Sequence, residues 1–236
     1  GSDLVIGEIA LVGADTSDVP GAAGGVLAEA LKAMMSGPRL DSVLTPEQYK
    51  RVSATVLRLA HLPIRLMGRL SPVMLSALLL EQLYTTAHAE DHVSGIPMDL
   101  YFQREAVRRG LTVRGLEAAT DQADLLSDSI PMPEQVKELL DLVDHEKEAT
   151  ASLEKMLRRY ERGEIDGLIE DPEFGAFSDR ESRALIYDRN TRWLKELREI
   201  LPGHRAFIAV GAGHLPGEKG LLAGLRTMAY HVRRVR

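Results

Sequence analysis

Three polar side chains stand at or just after the ends of apolar runs in this sequence. Glu8 lies in DLVIGEIAL at residues 3–11, Glu117 ends LTVRGLE, and His214 ends the GAGH that follows RAFIAV. Carboxylate oxygens and imidazole nitrogens are the usual protein ligands of hard and borderline divalent ions. The same groups serve general acid–base catalysis. These residue types therefore predict a metal site or an acid–base site, provided that the fold brings the three side chains together.

The segment FIAVGAGHLPGEKGLL, residues 207–222, contains the glycines nearest to His214. GAGHLPG resembles the dinucleotide-binding fingerprint, but its third glycine comes one residue too late. The fingerprint also needs an acidic residue about 20 positions further on, where this chain has the basic HVRRV. A nucleotide site is therefore disfavoured. We predict instead that Gly211 and Gly213 let the backbone turn sharply and approach a ligand closely, with His214 at the tip of a strand.

Arg189 and Asn190 lie on or beside the apolar stripe of a predicted helix, three or four residues from its large side chains. A charged group on a stripe that faces the core must find a partner. Glu8 or Glu117 would serve as that partner; alternatively, Arg189 extends to the rim and keeps its charge in water. The stripe consists of Ile186, Trp193, Leu194 and Leu197.

The elements that must position these residues follow from periodicity. The three apolar runs predict strands, HVRRV at 231–235 predicts a fourth short strand, and long helical patterns fill the rest. Thr45, Pro46 and Gln48 form a helix start, which Ser71 and Pro72 repeat. We predict an α/β fold: a small, mostly parallel sheet flanked by many helices, in a single domain over 1–236 with a helical insertion at about 26–110. Ligands of such sheets bind beyond the carboxyl ends of the strands.

Composition excludes several other classes of function. The chain has 236 residues, a formal net charge of −6 and no cysteine. Disulfides, zinc–thiolate sites and cysteine nucleophiles are thereby excluded, and the acidic balance argues against nucleic acid as a partner. The longest apolar helix, residues 72–83, is too short for stable membrane insertion. HAEDH at 88–92 indicates either a metal-binding pair of histidines or a solvated helix end. The basic HVRRVR indicates either a strand end or a solvated tail.

Four stretches together resemble the TraB/GumN family, which is related to the TIKI proteins and has the erythromycin esterase/ChaN-like fold. The closing Gly-x-x-His motif, Gly211–His214, is the most specific of them, and the resemblance covers nearly the whole chain. Relatives normally open with an earlier strand that carries another Gly-x-x-His motif. We expect this chain to begin at the family's second strand, with GADT at 13–16 as a stand-in that lacks the histidine. The four stretches are DLVIGEIAL, MDLYFQREAVRRGLTVRGLEAATDQADLL, RNTRW and FIAVGAGHLPGEKGLLAGL.

The resemblance implies a metal-dependent, peptidase-like hydrolase that acts on a peptide or small-molecule substrate. Glu8, Glu117 and His214 would bind a divalent ion (Mn, Co or Zn) or supply the general base, and a bound ion would polarise a carbonyl and activate water. Arg189 and Asn190 would orient the carboxylates or stabilise an oxyanion.

Relatives are often exported, which implies an extracytoplasmic location. The missing first motif favours an alternative, a non-catalytic module that binds a peptide or a porphyrin-like ligand. A third reading is structural: the apolar helical stretch at 46–87 would form the surface of a homodimer.

Overall fold

The computed structural model describes residues 1–12, 35, 37–88, 96–118, 121, 125, 129–166 and 179–235. GADT at 13–16, the start of the predicted helical insertion at 26–34, most of HAEDH and residues 167–178 lie outside the described residues. The chain divides into two compact units. The first comprises residues 1–29, 96–122 and 159–236, and the second comprises 30–95 and 123–158.

The first unit contains a three-stranded parallel sheet. Its strands are β1 (Leu4–Gly7), β2 (Thr112–Gly115) and β3 (Ala206–Ala209), in the order β2-β1-β3. Leu4 pairs with Thr112 on one side and with Ala206 on the other. The predicted α/β class with a small parallel sheet flanked by helices is thereby confirmed.

Eight α-helices of four or more residues are described, and they account for most of the regular secondary structure. Asp179–Glu181, a single α-helical turn, and Ser182–Tyr187, a π-helical segment, lead directly into the seventh of these helices. The eight are α1 (Leu40–Val43), α2 (Pro46–Ala60), α3 (Pro72–Ala87), α4 (Met98–Arg108), α5 (Met132–Asp144), α6 (Glu146–Glu161), α7 (Asp188–Ile200) and α8 (Leu221–Thr227).

Each strand is shorter than the apolar run that predicts it, because the chain bends sharply where β1 and β2 end. The N–H groups of Leu116 and Glu117 both donate to the carbonyl oxygen of Glu8, at 2.9 Å. A Cβ atom at Gly115 would lie only 2.6 Å from the backbone nitrogen of Ala10. Only glycine allows the two backbones to approach this closely. The crossing places Glu8 and Glu117 side by side at one edge of the sheet.

Gln103 of α4 holds the chain just after β1. Its side-chain amide donates to the Ile9 carbonyl at 2.9 Å, and its side-chain oxygen accepts from the Leu11 N–H at 2.7 Å. Gln103 is almost completely buried. A buried polar side chain needs such partners, and a buried backbone without them would be costly. The Gln103 side chain therefore provides hydrogen-bond partners for the backbone groups of the residues that follow β1.

Helices pack on both faces of the sheet. Strand side chains alternate between faces, so Leu4 and Ile6 pack with Trp193 and Leu197 of α7 in one core cluster. On the opposite face, Phe102 of α4 contacts the ring of a strand residue, Phe207, with ring centroids 5.0 Å apart. Full burial of a side chain such as Leu197 stabilises the fold by roughly 1.5–3 kcal/mol.

The second unit is helical and has its own apolar core. The predicted start of α2 is confirmed: Gln48 N–H donates to the Thr45 hydroxyl, and Thr45 N–H donates to the Gln48 side chain. The start of α3 is at the predicted place, but Ser71 makes no capping bond. Its hydroxyl is buried and has no hydrogen-bond partner among the described residues. The core comprises Leu40, Leu44, Val52, Val56, Leu59, Ile64, Leu75, Leu79 and Leu139.

The predicted fourth strand at 231–235 is wrong. This segment has no regular secondary structure. Two adjacent arginines, Arg233 and Arg234, separate Val232 from Val235, so the apolar residues do not alternate and cannot form one apolar face. Within the described part of the chain, no helix has both the length and the apolar character needed to cross a bilayer.

Candidate active site

The three residues singled out by their positions after apolar runs lie at the carboxyl edge of the sheet. Glu8 directly follows β1, Glu117 comes two residues after β2, and His214 ends a short 3-10 turn after β3. Glu8 Oε1 lies 4.0 Å from His214 Nε2. All three side chains contact Arg189 in the first turn of α7. The prediction that these groups meet at one sheet edge is confirmed.

Arg189 is the centre of the cluster. Its Nη2 donates to Glu8 Oε2 and to Glu117 Oε1, each at 2.6 Å, and its Nε donates to Glu117 Oε2 at 3.2 Å. Its Nη1 lies 3.0 Å from the Leu185 carbonyl and 3.1 Å from His214 Nε2. A guanidinium has five N–H groups, and five acceptors surround this one. The predicted pairing with a carboxylate is confirmed, and the alternative of an arginine at the rim is wrong because Arg189 is 6% exposed.

The π-helical segment Ser182–Tyr187 positions the start of α7. Its Leu185 carbonyl is one of the five acceptors of Arg189. A wider helical turn of this kind is uncommon and is frequent at functional sites. Periodicity did not predict it, because a π turn shifts the apolar stripe by only one residue.

Asn190 fixes the orientation and the tautomer of His214. The Asn190 side-chain NH₂ donates to the carbonyls of His214 at 3.2 Å and Lys219 at 2.9 Å. Its oxygen therefore faces His214 Nδ1, 2.7 Å away, and must accept a hydrogen bond from it. Nε2 is then the unprotonated nitrogen, and it accepts from Arg189. Burial lowers the pKa of His214 to about 4 against the opposing charge of Glu8, with Arg189 adding to the lowering, so the ring is neutral at pH 7.

Trp193 completes the cluster, although the sequence indicated only a core residue. Its indole N–H donates to Glu117 Oε2 at 3.3 Å, and its ring lies 4.3 Å from the His214 ring. The Arg189 guanidinium lies 4.6 Å from the centre of the same indole. Trp193 is one helical turn beyond Arg189 and Asn190, so its spacing was the signal that could have revealed this role.

Glu8 is the member of the cluster that reaches solvent, with 20% of its side chain exposed. Burial alone would raise its pKa, but the Gly211 N–H, the Arg189 charge and His214 outweigh burial and hold the pKa of Glu8 below its ordinary value. Gly211 N–H donates to Glu8 Oε1 at 2.7 Å. The backbone of Gly211 thus binds a carboxylate of the protein itself, and Gly213 lies within the 3-10 turn that ends at His214.

Asp99 is a second residue that sequence reasoning missed. It lies in the first turn of α4. Burial raises the pKa of Asp99, and the negative charge of Glu8 raises it further. The pKa values of these two carboxyl groups are therefore displaced in opposite directions.

The described residues do not form a metal site as they stand. Both oxygens of Glu117 accept from Arg189, and the free nitrogen of His214 also accepts from it. Among the described residues, Glu8 Oε1 and His214 Nε2, 4.0 Å apart, are the two possible ligand atoms of the cluster that face each other, whereas a catalytic zinc site uses three protein ligands. No group of three or more His, Cys, Asp or Glu in the part of the chain described here could hold an ion. The Arg189 guanidinium occupies the position between these oxygen and nitrogen atoms that a metal cation would take.

His88, the described part of HAEDH, has local partners. Its Nδ1 bonds to the Tyr84 carbonyl at 3.0 Å, and its ring stacks on the Tyr84 ring at 4.3 Å. These contacts complete the end of α3. The interpretation of this residue as part of a helix end agrees with them.

The fold and this site define a class: an α/β protein with a preorganised polar cluster at the carboxyl edge of a parallel sheet. The chain belongs to the TraB/PrgY/gumN family, whose model matches residues 2–234. The resemblance inferred from the four sequence stretches is thereby confirmed over nearly the whole chain. No curated protein and no solved structure was found to match the chain.

Proposed function

We propose that this chain is a hydrolase that cleaves peptide-type bonds, with Glu8 as the carboxylate that activates water. One observation carries the proposal: Glu8 is held by Arg189 and Gly211 and is still the member of the buried cluster that reaches solvent. Its low pKa keeps the carboxylate ionised at neutral pH. The choice of peptide as substrate rests on the family resemblance.

Glu8 accepts a proton from water as the water oxygen attacks the carbonyl carbon. The C–N bond then breaks, and the departing amine takes the proton from Glu8. Arg189 and Asn190 act as positioning residues, since Arg189 holds the carboxylates and Asn190 orients His214. In the observed arrangement, the side-chain donors of both residues are taken by these contacts, which favours the orienting role over direct contact with an oxyanion.

Dependence on Mn, Co or Zn stays a prediction from the resemblance. The described residues present two ligands at most, so no step of the reaction is assigned to an ion. An extracytoplasmic location and a homodimer through residues 46–87 also stay predictions. Light scattering at high protein concentration tests the dimer, and a monomeric mass there would exclude it.

The test is a panel of internally quenched peptides, assayed with and without each metal and with a chelator. We expect wild-type cleavage to be lost in Glu8→Gln, which keeps the size of the side chain but removes its charge. Glu105→Gln is the matched control, because Glu105 is a carboxylate of the same unit that pairs with Arg108 and Arg109 outside the cluster. Equal rates for Glu8→Gln and Glu105→Gln would refute the proposal.

The chelator arm decides the role of an ion separately. Cleavage that stops with chelator and returns with one metal supports metal dependence. In that case His214→Ala should also lose any thermal stabilisation by the metal. Cleavage that persists in chelator removes the ion from the mechanism and leaves the role of Glu8 intact.

A non-catalytic binding module is the second candidate. The observation in its favour is that the five donors of Arg189 are matched by five acceptors within the protein, as expected of a structural cluster. Saturable peptide binding without turnover in the same panel would support this candidate and exclude the hydrolase.

A further inference from the structure

The basic C-terminal end is the sequence motif that the site does not use. The chain as a whole has a formal net charge of −6, yet no acidic residue follows Glu218. Positive charge is thus concentrated in the last part of an acidic protein, where it favours an anionic ligand. The cationic residues after Glu218 are Lys219, Arg226, Arg233, Arg234 and Arg236.

Three of these arginines line a cavity of about 440 Å³ in the first unit. The cavity lies between the turn at 163–166, the turn at 215–217, helix α8 and the C-terminal segment. Its volume is in the range of small-molecule sites. Among the described residues of the lining, Asp166 is the one acidic residue, so this part of the lining has a net charge of +2. The arginines are Arg226, Arg233 and Arg234.

The C-terminal segment is attached to this cavity by a specific contact. Arg234 Nη2 donates to the carbonyl of Arg162 at 3.2 Å. The guanidinium packs so closely over Gly163 that a Cβ atom there would overlap it, and Gly163 also has a positive φ of 67°. Arg226 and Arg233 make no ion pair within the described ranges. Two guanidinium groups of the lining therefore lack a carboxylate partner there.

Apolar side chains form the rest of the wall. Ile165, Leu215, Leu222 and Val232 line the same cavity as the arginines. A ligand that fits both parts carries an aliphatic group and an anionic group close together. Arginine is the residue best suited to a carboxylate, because its planar fork donates two parallel hydrogen bonds.

We propose that this cavity receives the C-terminal end of a peptide, with an aliphatic side chain against the apolar wall and the free carboxylate on Arg226 and Arg233. The inference rests on the proposed hydrolase function and names its substrate class. The wall at 215–217 directly follows His214 in the chain. A peptide end bound there lies on the segment that also carries a member of the catalytic cluster.

The test uses two peptides labelled at the N-terminus that end in leucine, one with a free carboxylate and one amidated. Binding to the full chain is measured by fluorescence anisotropy at low ionic strength. We expect wild type to bind the free-carboxylate peptide about tenfold more tightly. The double variant Arg226→Gln/Arg233→Gln should lose this preference, whereas Arg198→Gln, which changes an exposed arginine of the same unit outside the cavity, should keep it.

Three results would overturn the proposal: no binding at millimolar protein, equal affinity of wild type for the two peptides, or a preference that survives in the double variant. N-acetyl-leucine should compete with the peptide, and inorganic phosphate at equal concentration should compete less. Equal competition by phosphate would show a general anion site and contradict the aliphatic part of the proposal. Melting curves followed by Trp193 fluorescence establish that the variants remain folded.

The design separates this inference from the proposed function. A preference for the free carboxylate in Glu8→Gln, with no cleavage by wild type, would support the cavity and refute the hydrolase. Cleavage of the free and amidated peptides at equal rates would support the hydrolase and refute the cavity.

Discussion

Replacement of Arg189 by methionine tests whether the cluster is a mutually dependent unit. Methionine keeps most of the length of the side chain but removes the charge and all five donors. Glu117 then keeps its place in the core with 6% of its side chain exposed, while Glu8, at 20%, is better solvated. Removal of one partner from a buried ion pair costs roughly 3–5 kcal/mol, because the remaining charge is uncompensated. Most of this loss should come from Glu117.

The assay is urea unfolding followed by fluorescence and circular dichroism. Trp193 is the only tryptophan of the chain, it is completely buried, and it bonds to Glu117. Its emission therefore reports on the first unit, whereas circular dichroism reports on the helices of both units. The matched control is Arg192→Met, an exposed arginine of the same helix. We expect that control to change the free energy of unfolding by less than about 0.5 kcal/mol.

A double variant supplies the decisive comparison. Arg189→Met/Glu117→Gln removes the carboxylate that the first change leaves unpaired. It should be more stable than Arg189→Met by roughly 1–2 kcal/mol. With the single variant Glu117→Gln it completes a double-mutant cycle, and the coupling energy of two residues in direct contact is typically about 0.5–3 kcal/mol. If Arg189→Met costs no more than Arg192→Met, or if the two single costs simply add, the cluster is not the interdependent unit described above.

Two further predictions concern stability. The pKa of His214, about 4 in the folded protein, lies below its ordinary 6.5, so the unfolded chain binds the proton first as the pH falls. The stability due to neutral His214 is complete above about pH 6.5, and roughly 3 kcal/mol of it is lost between pH 6.5 and 4. Urea titrations at several pH values should show that His214→Gln loses less free energy of unfolding in acid than wild type does. An identical loss would contradict the assignment. Gly115→Ala should cost roughly 1–3 kcal/mol in the same assay, because its Cβ would meet backbone atoms of Ala10; Gly203→Ala, with open space around it, is the control and should be nearly neutral.

The architecture and the three site residues that follow the strands could be predicted from the sequence for the same reason. Apolar runs mark buried strands, and parallel strands bring their carboxyl ends to one edge of a sheet. Glu8, Glu117 and His214 could therefore be placed together without knowledge of their side-chain contacts. For Arg189 the sequence left two alternatives, because a charge on an apolar helix face either finds a partner in the core or extends to the rim.

Strand lengths and the fourth strand were not predictable in the same way. β1 and β2 end where Ala10 crosses Gly115, and this close contact between distant residues leaves no periodic signal. HVRRV has the β-branched composition of a strand, but its two valines are three residues apart and would point to opposite faces. Asp99 was missed because its only notable feature is a neighbour, Glu8, that is far away in the sequence.

The question that the sequence leaves undecided is which cation lies between the carboxylates. Carboxylates and a neutral imidazole suit a divalent ion and a guanidinium equally well, and residue types alone cannot separate them. The choice depends on position: Arg189, in the first turn of α7, lies close enough to contact the side chains of Glu8, Glu117 and His214.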